Sequence, residues 1–217
     1  NSYAIGPGRF DQYLFPYYRA DIDSGELTRE EARELLACLW LKFNELTVVK
    51  EGGTAKASTT FNDFQNLNLA GQTIDGRDAT NDLSYLCLEV TGQLELPQPQ
   101  ISVLISEKTP DRFLLKACEV IARGFGMPAV FNEDEKVQAL LHKGTTLEDA
   151  RLGGINGCVE LVVQGNDTMA SSGYLSMPKC LELALNSGIN PVTGNRLGPA
   201  TSDPREFASF DDLMTAY

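Results

Sequence analysis

Ile101-Ser102-Val103-Leu104-Ile105, with the segment that follows it as far as Gly144, decides the fold class. The run is short, apolar and rich in β-branched side chains, and Pro97-Gln98-Pro99-Gln100 before it is rigid and extended, so it reads as a buried strand. Thr109-Pro110-Asp111 then predicts a helix start, with Thr109 as N-cap and Pro110 at the first helical position. That helix is expected to run to about Arg123, where Gly124 and Gly126 stop it. Pro128-Ala129-Val130-Phe131 is a second short strand. Asn132 with Glu135 caps a second helix ending near Gly144, and Leu147 to Arg151 makes a further helical turn. Long helices between short apolar strands are an α/β pattern.

The same alternation extends towards the N-terminus. Thr28-Arg29-Glu30-Glu31 is a capping box, opening a helix to about Phe43 with Ala32, Leu35, Leu36, Leu39 and Trp40 on one face. Glu51-Gly52-Gly53-Thr54 reads as a loop. Residues 58–69 are polar and aromatic by turns, which predicts a strand or loop facing something polar. Asp75-Gly76-Arg77-Asp78 is a turn, and Asp78 or Thr80 is expected to start a helix carrying Leu83, Leu86, Cys87 and Val90. Gly6-Pro7-Gly8-Arg9-Phe10-Asp11-Gln12-Tyr13, running into Leu14-Phe15-Pro16-Tyr17-Tyr18, has turn chemistry and predicts a packed, hydrogen-bonded loop, a structural corner more than a ligand contact. Towards the C-terminus, Gln164-Gly165-Asn166-Asp167 is a polar loop. A helix from Tyr174 or Met177 to Ser187 follows, closed by Gly188, and Ser209 with Asp212 caps another.

The chain has 217 residues, 18 basic and 30 acidic, for a formal net charge of -12. That balance argues against nucleic acid or an anionic membrane surface as partner, since both require basic patches. No run of about 18 apolar residues occurs to span a bilayer. The chain begins at Asn1 and stops at Tyr217 inside an apparent helix, so both ends read as cut and the whole as a single partial domain. Five cysteines at wide spacings, no C-x-x-C pair and one histidine, His142, speak against a zinc site or any other metal site. Reduced thiols in a cytoplasmic protein are the natural reading, with Cys38, Cys87, Cys118 and Cys180 as packing residues on helices.

The fifth thiol stands apart, in Gly154-Ile155-Asn156-Gly157-Cys158-Val159-Glu160. Glycines allow a tight turn that lifts a cysteine to a loop tip. If the chain is extended beyond them, residues i and i+2 face one side, and Cys158 and Glu160 share one space. A thiol beside an acid/base group suits nucleophilic or hydrogen-transfer chemistry. On this stretch alone the commoner role of a cysteine, a small buried apolar side chain, stays the leading alternative.

Four stretches together resemble the glycyl radical enzymes, the pyruvate formate-lyase-like superfamily. They are Gly8-Arg9-Phe10-Asp11-Gln12-Tyr13 with Pro16-Tyr17-Tyr18; Asp75-Gly76-Arg77-Asp78-Ala79-Thr80-Asn81-Asp82-Leu83-Ser84-Tyr85; Leu96-Pro97-Gln98-Pro99; and Gly157-Cys158-Val159-Glu160. The resemblance implies part of a ten-stranded α/β barrel, with Cys158 on a finger loop inside it. It implies a glycyl radical installed by a separate S-adenosylmethionine/iron–sulfur activating enzyme. Cys158 would then serve as the thiyl that abstracts hydrogen from a small-molecule substrate, and Glu160 as acid/base. It also implies a homodimer. The radical-bearing Arg-Val-x-Gly type motif does not occur in the 217 residues, so this stretch by itself is expected to be inactive.

Two features select a branch. Gly157 stands where pyruvate formate-lyase has a second cysteine, which speaks against formate acetyltransferase chemistry. Leu161 follows the Gly-Cys-Val-Glu where diol, choline and isethionate lyases have proline, while Gly173-Tyr174 with Pro178-Lys179, and Thr201 to Phe207, are more similar to the hydroxyproline dehydratases. In that branch, positions similar to Ser58, Phe64 and Tyr174 contact the substrate. Gln164 to Asp167 departs from the branch pattern. The implied activity is a dehydratase of trans-4-hydroxyproline type; an arylacetate decarboxylase of the same superfamily and a non-catalytic fragment are the alternatives.

Overall fold

The computed structural model describes residues 4–46, 51–57, 64–167 and 175–217, with the side chains of all of these except 4, 5, 54, 55, 57 and 64. They belong to two compact units, Asn1–Met169 and Ala170–Tyr217.

The expected opening loop is strand β1 (Ala4–Arg9) running directly into helix α1 (Phe10–Ser24). Gly-Pro-Gly reads locally as a breaker, but here it is accommodated by a register shift between Ile5 and Gly8, with Gly8 at φ +81°. Pro16 lies inside α1, where it removes one backbone hydrogen bond. The helix start is held instead from a distance: the buried Asp11 carboxylate accepts from the Ala70 amide at 2.8 Å and from the Ser84 hydroxyl. Gly25 ends the helix in the left-handed region, φ 76°.

Helix α2 (Arg29–Glu45) carries the expected capping box of Thr28 and Glu31. Ala32, Leu36 and Trp40 are its buried stripe; Leu35, expected there too, is 62% exposed. The Gly52-Gly53 loop is instead a short helix, α3 (Gly52–Ala57). Strand β2 (Phe64–Ala70) follows, then α4 (Asp82–Leu94), whose N-cap is Asn81 rather than Asp78 or Thr80. Asn81 wins because its side chain accepts from the amides of both Leu83 and Ser84. Strand β3 (Gln100–Ile105) leads to α5 (Asp111–Ile121). Here Pro110 occupies the cap, and the Thr109 hydroxyl turns back to accept from the Ser106 amide at 2.9 Å. Strand β4 (Ala129–Asn132), α6 (Glu133–His142), capped by Asn132, and α7 (Leu147–Leu152) complete the predicted alternation. A hairpin of β5 (Gly154–Asn156) and β6 (Glu160–Val162) follows.

Among the described residues, β1, β2, β3 and β4 form one parallel sheet in sequence order. The fold is therefore α/β with a parallel sheet, as the sequence predicts. One face packs on α1, α2, α4 and α5 through Phe10, Trp40, Leu67, Leu69, Leu86, Ile101, Val103 and Phe113. Each large apolar side chain withdrawn from water there is worth roughly 1.5–3 kcal/mol. The Trp40 indole donates to Thr91 at 2.9 Å, so its N–H is not orphaned. The other face is polar at its centre, where Asn66, Asn68 and Ser102 are buried. A second apolar cluster of Val137, Leu140, Ala150 and Val163 lies under α6 and α7.

The second unit contains α8 (Met177–Leu185) and α9 (Phe210–Ala216), with a single 3₁₀ turn at Pro204–Glu206. Helix α8 stops short of the expected Ser187; the Gly188 amide turns back to Leu183 O at 2.8 Å. Ser209 and Asp212 make the expected capping box. Cys38 and Cys118, expected in helix packing, are exposed, because the buried stripes of α2 and α5 pass them by; Cys87 is buried. Among the described residues, no helix is long and apolar enough to cross a membrane.

Candidate active site

The hairpin pairs Gly154 with Val162, Ile155 with Leu161 and Asn156 with Glu160. Gly157, Cys158 and Val159 form the turn between the strands. Gly157 takes φ +55°, and the Asn156 side chain accepts from its amide at 3.0 Å. Cys158 thus stands at the tip, as its glycine-rich approach predicts. It is in the turn rather than in an extended run, so strict alternation with Glu160 does not apply. The two groups still interact. Glu160 opens β6, its carboxylate accepts from the Val159 amide at 3.0 Å, and its charge reaches the thiol. Partial burial, and then the Glu160 charge, push the Cys158 thiol above its ordinary value. Both residues are exposed within the described residues.

The hairpin rests on the polar face of the sheet. Asn68 holds Ile155 at two points: its Nδ2 donates to Ile155 O at 2.8 Å, and its Oδ1 accepts from Ile155 N at 2.6 Å. Asn66 Nδ2 donates to Gly157 O at 2.8 Å, and Ser102 Oγ donates to Asn66 Oδ1 at 2.8 Å. Gln100 Nε2 reaches Cys158 O at 3.4 Å. Clearances are small: a Cβ built on Gly6 would meet Asn156 Oδ1 at 2.4 Å, and one on Gly154 would meet Asn68 Cγ at 2.9 Å.

The base of the hairpin is held by buried charge. Arg9 Nη1 donates to Gln72 O at 2.6 Å and Arg151 O at 2.8 Å, and Nη2 donates to Ala70 O. Lys136 Nζ donates to Gly153 O at 2.8 Å and to Glu133 at 3.0 Å, and the Glu133 carboxylate accepts from the Gln72 amide at 3.1 Å. Burial outweighs pairing throughout: it pulls Lys136 down to about 8, lowers Arg9 and raises Glu133.

Of the residues predicted to bind substrate, Ser58 and Tyr174 lie outside the described residues, and Phe64 opens β2 with its side chain outside them. Among the described residues, no group of three or more His, Cys, Asp or Glu is placed to hold a metal ion. The polar face expected of residues 58–69 is the Asn66 and Asn68 side of β2, and the hydrogen bonding expected around Arg9 is present; the parts of Ser102 and Lys136 in the brace went unread in the sequence. The local signal was the alternation of Asn66 and Asn68 with Leu67 and Leu69.

The fold and this site define an α/β protein that presents a single cysteine on a braced turn. A model of the family described as pyruvate formate lyase-like matches residues 1–217. The trans-4-hydroxy-L-proline dehydratase of Clostridioides difficile is 46% identical over 215 residues, 99% of this chain and 27% of its own length. A crystal structure of the hydroxyproline dehydratase from that organism, with trans-4-hydroxy-L-proline bound, superposes with TM-score 0.88 over 97% of this chain and 27% of that one. The B12-independent glycerol dehydratase of Clostridium butyricum superposes with TM-score 0.86 at 41% identity, over 98% of this chain and 27% of that one. The glycyl radical subunit of 4-hydroxyphenylacetate decarboxylase from Clostridium scatologenes is 34% identical over 88% of this chain and 24% of its own length. The chain belongs to the pyruvate formate lyase-like family of glycyl radical enzymes. It spans about a quarter of the length of these relatives.

Proposed function

We propose that this chain supplies the cysteine finger of a glycyl radical dehydratase acting on trans-4-hydroxy-L-proline or a close analogue. The observation that carries the reading is Cys158 at a braced hairpin tip with Glu160 beside it, in a chain 46% identical to a hydroxyproline dehydratase along 99% of its length. Identity to the decarboxylase relative is lower, 34%, and covers less of the chain.

The glycyl radical, installed by an S-adenosylmethionine-dependent activating enzyme, supplies the unpaired electron. Cys158 gives up its S–H hydrogen, takes a hydrogen atom from a substrate carbon as the thiyl, and returns one to the product. The raised thiol suits this role, because at neutral pH it keeps the hydrogen that must be donated. Glu160 takes a proton from the substrate and passes it to the departing hydroxyl, so that it leaves as water. Ser58, Phe64 and Tyr174 are the proposed substrate contacts. Residues 1–217 form one part of a larger catalytic domain, and the four parallel strands are an arc of its ten-stranded barrel. The working protein is a cytoplasmic homodimer.

The test is the complete protein, activated without oxygen and offered trans-4-hydroxy-L-proline and 4-hydroxyphenylacetate separately. The expected outcome is dehydration of the first and no turnover of the second, with activity lost in Cys158→Ala. Decarboxylation of 4-hydroxyphenylacetate, or full activity in Cys158→Ala, overturns the reading.

A further inference from the structure

We infer that Asn66 and Asn68 of β2, oriented by Ser102 of β3, are positioning residues that set where the Cys158 sulfur stands. A parallel strand buried on both faces ordinarily reads as an aliphatic run. Strand β2 instead buries Gln65, Asn66 and Asn68 at 0% exposure. A buried amide is costly unless its hydrogen bonds are restored. Asn66 and Asn68 restore theirs on the hairpin backbone.

The two contacts have different consequences. Asn68 exchanges both hydrogen bonds with Ile155, as a neighbouring strand would, and so docks β5 at one register. Asn66 acts nearer the chemistry. Its acceptor, Gly157 O, belongs to the peptide that leads into Cys158. Gly157 is the one turn residue free to rotate that peptide, since glycine occupies either sign of φ at little cost. The turn alone therefore leaves the plane of the Gly157–Cys158 peptide open, and an outside donor must choose it. Ser102 Oγ decides which end of the Asn66 amide faces the turn, because it donates to Oδ1 and leaves Nδ2 for Gly157 O. None of these hydrogen bonds is made to the Cys158 sulfur. Their effect is on the direction of its Cα–Cβ bond, and hydrogen transfer between heavy atoms is steeply sensitive to that placement.

The kinetic consequence rests on the proposed role of Cys158; the geometric one does not. The experiment separates them in the complete protein with Asn66→Asp, which keeps the shape, removes the donor and adds a charge, and with Ser102→Ala, which adds no charge, so that a change shared by both reads geometry. Before activation, iodoacetamide alkylation is followed at each cysteine by peptide mass spectrometry, with the exposed Cys38 and Cys118 as internal references. The expected result is a several-fold change at Cys158 and none at the references. After activation, glycyl radical yield by electron paramagnetic resonance is expected to stay unchanged. With trans-4-hydroxy-L-proline, kcat is expected to fall about 100-fold in Asn66→Asp and about 10-fold in Ser102→Ala, with KM moving by less than about twofold. An alkylation ratio for Cys158 that stays within about twofold of wild type in the folded variants overturns the inference, a displacement that small having no claim on the geometry. If Asn66→Asp does not fold, Ser102→Ala, the loss of one hydroxyl, decides alone. If Cys158→Ala keeps its turnover, the catalytic reading falls, and the alkylation ratio still decides whether the asparagines set the thiol.

Discussion

Cys158 and Glu160 form a pair in which the carboxylate works against the thiolate. Burial comes first in raising the thiol and the Glu160 charge second, so Glu160→Gln removes only the second cause. Loss of a negative neighbour favours the thiolate, and the alkylation profile of Cys158 is expected to move to lower pH. At pH 8 the variant reacts faster, by at most about fivefold, since a unit charge near 4 Å in water is worth roughly 1 kcal/mol. A pH–rate series with iodoacetamide checks this, and a profile moved to higher pH contradicts it. This pair was legible in the sequence only as near neighbours two residues apart; in place of the extended alternation expected of them, Cys158 sits in the turn and Glu160 opens β6. The pocket positions Ser58 and Tyr174 rest on the family resemblance alone.

Elements were legible wherever their ends carried their own hydrogen bonds. Thr28, Asn132 and Ser209 each cap the helix predicted from them, because the cap needs only residues two or three ahead. Helix α1 was hidden for the opposite reason. Its local signals, Gly-Pro-Gly before it and Pro16 within it, say loop, while Ala70 and Ser84 hold its first turn from 59 and 73 residues away. The hairpin is equally dependent on its setting, and Gly6 tests that. An alanine there puts a methyl 2.4 Å from Asn156 Oδ1, so Asn156 must leave the Gly157 amide. Gly6→Ala is expected to cost about 1 kcal/mol, since only the Asn156 side chain must move and about one hydrogen bond is lost, read from the urea midpoint. An unchanged midpoint would mean the hairpin yields freely.

At the scale of the whole molecule, residues of three family motifs tie distant segments together. Arg9 ties β1 to the end of β2 and to the last turn of α7, and Asp11 and Ser84 join α1 to α4. Gln98 accepts from the β2 backbone at Gln65. Arg9→Met takes the guanidinium away from the buried carbonyls of Ala70 and Gln72, while Arg151 O keeps Lys136 Nζ at 3.3 Å, and it leaves Glu133 with one cation fewer. The expected loss is about 2–5 kcal/mol, since each buried carbonyl left without its donor costs roughly 1–3 kcal/mol. Hydrogen exchange should localise it, with amides of residues 153–162 losing protection before those of α2; a uniform loss would refute the brace. Such ties cannot be seen along a chain, because each joins segments that nothing local connects. The separation also has a meaning in time. Asn66 and its acceptor on Gly157 are 91 residues apart, so a ribosome adding about 5–20 residues per second delivers the asparagine some 5–20 seconds before the turn it will hold. During that wait an aliphatic residue at these positions would give β2 a second sticky face beside Leu67 and Leu69, whereas asparagines take water in place of the turn.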